Sequence, residues 1–128
     1  MRLLLDTHIL IWALTTPERL PPQAQAAIEN RDNVILFSTV SIWEIAIKAA
    51  ANKPAFPWNP AIILEEADAL GFREEAITSA AAITAANLPA HHRDPFDRLL
   101  VGQAINGPAR LLTADRLLGR YSELVEVV

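Results

Sequence analysis

Four acidic residues stand where strand-like segments give way to helix-like ones. Asp6 ends the apolar run RLLL, Glu44 lies within the apolar segment SIWEIAIKAA, Asp97 lies within HHRDPFDRLLVGQAI, and Asp115 follows ARLLT by two residues. Carboxylates gathered in one place raise one another's pKa unless a cation neutralises them. With no cysteine in the chain, an all-oxygen donor set suits a hard divalent ion, Mg2+ or Mn2+. Ions of that kind, alone or in pairs, activate water and stabilise in-line attack on a phosphodiester. They would also attract a phosphate backbone that the chain's net charge of −4 repels.

Each acid has a plainer job to set beside that one. Asp6 and Asp115 can be turn residues, Glu44 can pair with Lys48 one helical turn away, and Asp97 can serve the positive end of a helix. Asp94 is a favoured N-cap and Pro95 suits the first helical position, so the opening of residues 91 to 105 is a helix start in its own right. Glu44, however, sits between Trp43 and Ile45, a poor place for an acid meant only for the surface.

The elements that must position these residues alternate. RLLL, NVILFS (33 to 38), EEAIT, ARLLT (109 to 113) and LVEVV read as strands. ILIWAL, QAQAAIENRD, SIWEIAIKAAANK, AIILEEADAL, SAAAITAANL, the segment opened by Asp94 and a short DRLLGRY read as helices. Ser38 or Ser41 can cap the third of these helices, Asn59 and Pro60 the fourth, and Gly71 is a natural stop. KPAFPWNP, residues 53 to 60, carries three prolines and reads as a loop. The small side chains of SAAAITAANL permit close packing on the sheet or on a second copy of the chain. Alternation of this kind predicts a three-layer α/β/α fold with a central, mostly parallel sheet of four to five strands. Ligands of such sheets bind outside the carboxyl ends of the strands, where strand order reverses. If the sheet is wound in the usual right-handed way, the four acids can converge there.

At 128 residues the chain reads as one domain, 1–128. Its 52% hydrophobic content suggests a partner surface, but no window approaches the roughly 20 apolar residues that span a bilayer. Asp6 and His8 interrupt the leucines of MRLLLDTHIL before a secretion signal could form, so a cytoplasmic location with no membrane is expected.

LLLDTHILIWAL, STVSIWEIAIKAA, HHRDPFDRLLVGQA and LLTADRLL, in this order over nearly the whole chain, resemble the PIN-domain ribonucleases, and among them the VapC-type toxins of bacterial toxin–antitoxin pairs. The resemblance implies a Mg2+- or Mn2+-dependent endoribonuclease that cleaves RNA, is silenced by a cognate antitoxin protein and forms a homodimer. It implies Asp6, Glu44, Asp97 and Asp115 as catalytic, metal-binding acids, with Asp97 preferred over Asp94, which keeps the capping role and is a candidate for supporting the site from outside. Thr7 and Thr113 match hydroxyl positions beside the acids, where they could orient a carboxylate or water. Gly102 departs from the alanine common in relatives and weakens the helix by up to about 1 kcal/mol.

Arg98 and Arg116, beside two of the acids, are candidates for RNA contact. His91, His92 and Arg93 could meet phosphates but read more simply as exposed loop residues. Trp12 and Trp43 read as core or partner-groove residues, and Trp58 as the exposed aromatic that meets the antitoxin. Two rival readings remain. One is a PIN-fold RNA- or protein-binding module without turnover. The other is a receiver- or phosphatase-type phosphoryl-transfer domain, which would require a lysine across the site, whereas the only lysines, Lys48 and Lys53, both lie near the second strand's helix.

Overall fold

Five short parallel strands form the centre of the molecule in the computed structural model, which describes residues 1–51, 56–91 and 93–128. They are β1 (Arg2–Leu5), β2 (Val34–Ser38), β3 (Arg73–Glu75), β4 (Arg110–Thr113) and β5 (Val125–Val127), in the order β3-β2-β1-β4-β5. Among the described residues six α-helices lie between them: α1 (Thr7–Thr15), α2 (Pro22–Glu29), α3 (Thr39–Ala50), α4 (Pro60–Ala69), α5 (Ser79–Ala86) and α6 (Pro95–Asn106).

The three central strands, β2, β1 and β4, are apolar over most of their length because both faces of the sheet are covered there, whereas the edge strands β3 and β5 carry charged residues. Leu3 and Leu5 of β1, with Ile35 and Phe37 of β2, pack into a core containing Ile9, Leu10, Ile45 and Ile63. Their neighbours Leu4, Leu36 and Leu111 point the other way, onto Leu100, Val101 and Ala104 of α6. Burying each of these side chains contributes roughly 1.5–3 kcal/mol. The layers are therefore α/β/α, as the apolar runs require.

Side chains define where the helices begin. Asp6, Ser38, Asn59, Thr78 and Asp94 each accept a backbone N–H from the first turn of α1, α3, α4, α5 and α6 in turn. Ser38, not Ser41, caps α3. Gly71 adopts a φ of 82°, the left-handed turn that ends α4 at little cost for a residue without Cβ.

Two expectations are corrected and one is made specific. The third strand forms at Arg73–Glu75, not over EEAIT, because its partner β2 ends opposite Glu75 at Ser38 and turns at once into α3. The DRLLGRY segment forms its expected short helix as a 3-10 helix, Arg116–Arg120. The alanine-rich α5 packs chiefly on α6 rather than on the sheet. There Gly102 is required: a Cβ at that position would lie 2.4 Å from the Ala81 carbonyl oxygen and 3.0 Å from the Ala85 nitrogen. The glycine that lowers helix propensity allows the two backbones to meet. The start of the expected proline-rich loop, Lys53 and His92 lie outside the described residues.

Candidate active site

Strand order places the site. From β1 the chain moves outward through β2 to β3, then crosses back to lay β4 on the opposite side of β1, so the order reverses between β1 and β4. A crevice at the carboxyl ends of these two strands follows from that reversal. Asp6 and Thr7 follow β1, while Thr113 ends β4 two residues before Asp115.

Asp6 is only 6% exposed. Its Oδ1 accepts the Ile9 amide at 2.8 Å, which caps α1, and its Oδ2 accepts the Thr113 hydroxyl. The same Thr113 oxygen accepts the Asp115 amide at 3.0 Å, and Asp115 Oδ1 in turn accepts the Leu117 amide at 3.0 Å, opening the 3-10 helix. One hydroxyl thus ties the acid after β1 to the turn that carries Asp115.

A second hydroxyl does the same for Glu44. Thr7 Oγ1 donates to Glu44 Oε1 at 2.7 Å and lies 3.0 Å from Ser41 Oγ. Glu44 is 2% exposed, and its Oε2 accepts Lys48 Nζ at 2.6 Å. The i, i+4 pairing with Lys48 does form, but around a buried carboxylate. Burial pushes the Asp6 carboxyl above its ordinary range, and the nearby Glu44 charge adds to the rise; the Thr113 hydroxyl, the Ile9 amide and His8 pull the other way. Two buried acids close enough to feel each other form the kind of arrangement a cation stabilises.

Asp97 lies half-buried in the first turn of α6, its amide 3.5 Å from the Asp94 carboxylate. Asp94 Oδ1 also accepts the Phe96 amide at 2.9 Å, so Asp94 is the helix cap. The start of α6 meets α3 where Phe96 packs edge-on to Trp43, ring centroids 5.8 Å apart. Hydroxyl bridges therefore tie Asp6 to the Asp115 turn through Thr113, and Glu44 to Thr7, the neighbour of Asp6, while Asp97 lies at the start of α6 where that helix meets α3. Among the described residues, no three acids or histidines are drawn together into a ready-made metal cage.

Arg98 is engaged elsewhere. Its guanidinium donates to the carbonyls of Ala85, Leu88 and Pro89 at 2.9–3.0 Å, closing the carboxyl end of α5. Arg116 is exposed beside Asp115, and His91 stacks obliquely on Tyr121 at 5.2 Å. The tryptophans exchange roles: Trp43 is 59% exposed, because α3 buries Ser41, Glu44 and Ile45 and turns Trp43 and Ile47 outward, whereas Trp58 packs on Phe56 at 5.0 Å. Trp12 is partly buried under the Arg19 guanidinium. Sequence reasoning read Ser41 only as a possible cap and Lys48 only as a surface partner of Glu44, not as residues of the site. Their spacing of three and four residues from Glu44 on one helix face was the signal available.

The PIN domain family matches residues 3–124 of the chain. Ribonuclease VapC22 of Mycobacterium tuberculosis (strain ATCC 25618 / H37Rv) is 34% identical over 121 residues, 90% of this chain and 88% of that protein. Among solved structures, VapBC2 from Rickettsia felis bound to a DNA fragment from their promoter is similar, with a TM-score of 0.68 and 18% identity over 99% of this chain and 98% of the matched one. At that identity the structural likeness concerns the fold.

Proposed function

Because the chain belongs to the PIN domain family, we propose that it is an endoribonuclease that depends on Mg2+ or Mn2+ and acts as the toxin of a toxin–antitoxin pair. Its partners on this reading are an RNA substrate, a cognate antitoxin protein and a second copy of itself. The resemblance to Ribonuclease VapC22 supports the activity, and the likeness to VapBC2 fits the pairing. The observation that carries the reading is the buried Asp6 and Glu44 pair, each carboxylate held by a threonine hydroxyl at the switch point of the sheet.

The donors fit a hard divalent ion: they are carboxylate oxygens, the chain has no thiol, and two of them, Asp6 and Glu44, are buried and close enough for one charge to act on the other. Asp6, Glu44, Asp97 and Asp115 would hold it. Such an ion, when bound, supplies Lewis-acid stabilisation and a water of lowered pKa for phosphodiester hydrolysis.

The chain's own residues do the positioning. Thr7 and Thr113 fix the rotamers of Glu44 and Asp6, and Asp94 sets the start of α6 so that Asp97 stays in its first turn. Arg116, exposed next to Asp115, offers a guanidinium to an RNA phosphate. Arg98 braces the α5–α6 pair.

The test is cleavage of a mixed bacterial RNA pool by antitoxin-free protein with Mg2+ or Mn2+, then with EDTA, beside Asp97→Asn. Discrete fragments that vanish with chelator and with the substitution are expected. An intact pool with RNA or antitoxin binding retained would instead mean a binding module that keeps the fold without turnover.

A further inference from the structure

Lys48 sits on the carboxylate that the ion is expected to take. Its ammonium lies 2.6 Å from Glu44 Oε2, and the lysine side chain is 29% exposed against 3% for the glutamate. Phe56 supports it from the other side, with Nζ 5.1 Å from the ring centroid. The other Glu44 oxygen is held by Thr7. An ammonium between an aromatic face and a buried carboxylate is not a solvated surface pair: it neutralises a charge that cannot reach water.

A dication and an ammonium cannot both sit at full strength on one carboxylate oxygen, because their mutual repulsion adds to the exchange. We propose that Lys48 is a resident counter-ion that competes with the divalent metal for Glu44 and so sets the metal concentration at which the site loads. The inference rests on the metal-dependent reading above and adds to it a residue outside the four acids. In the metal-free chain Lys48 supplies the positive charge that offsets the burial of the Glu44 carboxyl group. When the ion arrives, the long flexible side chain withdraws along Phe56 towards solvent, which its partial exposure permits. Lys48 is a positioning residue, acting through Glu44.

The test is titration of chelator-stripped full-length protein with Mn2+ alone, followed calorimetrically, for the parent, Lys48→Met and Lys48→Arg. Loss of the ammonium is expected to tighten Mn2+ binding roughly tenfold, the scale of a single charge repelling a dication over several ångströms at water-like dielectric. Lys48→Arg is expected to stay near the parent. Unchanged or weaker binding in a folded Lys48→Met protein would overturn the inference and leave Lys48 as a support for Glu44. A second readout needs no variant of Lys48: with only two lysines in the chain, the Lys48 Nζ resonance is assignable by Lys53→Arg. It is expected to move when the parent is saturated with Mg2+; a stationary resonance at saturation counts against displacement. Absence of saturable Mn2+ binding in parent and variants alike would instead defeat the metal-dependent reading and the inference with it.

Discussion

Thr113 and Asp6, 107 positions apart in the chain, share a hydrogen bond in which the threonine hydroxyl donates to Asp6 Oδ2 across the carboxyl ends of β4 and β1. Because the same oxygen accepts the Asp115 amide, one side chain aligns two acids that belong to different crossovers. This bond joins the two halves of the sheet at the point where strand order reverses.

Thr113→Val should therefore damage more than one contact. It leaves a buried carboxylate oxygen and the Asp115 amide each short of a partner, at about 1–3 kcal/mol. A fall in Tm of roughly 4 °C or more is expected by calorimetry in metal-free buffer, with weaker Mn2+ binding, whereas Thr113→Ser restores both. Equal stability of the valine variant would mean the bond contributes nothing.

Asp6→Asn should separate stability from function. Burial raises the Asp6 carboxyl above its ordinary 3.8, so between 3.8 and the raised value the folded chain holds a proton that the unfolded chain has released. Stability from this group accordingly falls as pH rises through that window, and the cost persists above it. Asparagine remains a good cap for α1 and removes the charge. In metal-free buffer at pH 7 the variant is expected to unfold at higher urea than the parent, the advantage disappearing below pH 3.8, while RNA cleavage falls about a hundredfold or more. Urea titrations at two pH values check the first part; a variant that is less stable at pH 7 than in acid relative to the parent contradicts it.

Arg98 offers a contrast between bracing and RNA contact. Its guanidinium serves three carbonyls at the end of α5, a fork that the single ammonium of lysine does not reproduce. Arg98→Ala and Arg98→Lys are both expected to lower stability by about 1–3 kcal/mol while the folded fraction cleaves RNA much as the parent does. Loss of kcat/KM at unchanged stability would transfer Arg98 to the substrate.

At Gly102 two effects oppose each other. Alanine gains up to about 1 kcal/mol of helix propensity, but its Cβ would lie 2.4 Å from the Ala81 carbonyl oxygen, a clash with backbone that only a shift of α5 relieves. Overpacking of that kind costs typically 1–3 kcal/mol, so Gly102→Ala should be net destabilising in urea. A stabilised variant would show that α5 moves freely.

Much of this molecule was legible in its sequence because the signals are local. The apolar runs, the caps at Asn59 and Asp94, and the stop at Gly71 each depend on chemistry within a few residues, so the alternating α/β order and the acids at the strand ends could be read directly. What only the tertiary structure decided involves partners far apart in the chain. β3 is short because β2 ends opposite it; Gly102 is needed because α5 presses its backbone against α6. Arg98 braces a helix end nine and more residues away, and Trp43 faces outward because Ser41, Glu44 and Ile45 take the buried side of α3. The hydroxyl bridges from Thr7 to Glu44 and from Thr113 to Asp6 belong to the same class. A sequence supplies the acids and the ends of the strands, but which oxygen meets which hydroxyl is fixed only when the crossovers bring β4 beside β1 and lay α3 against the start of α1.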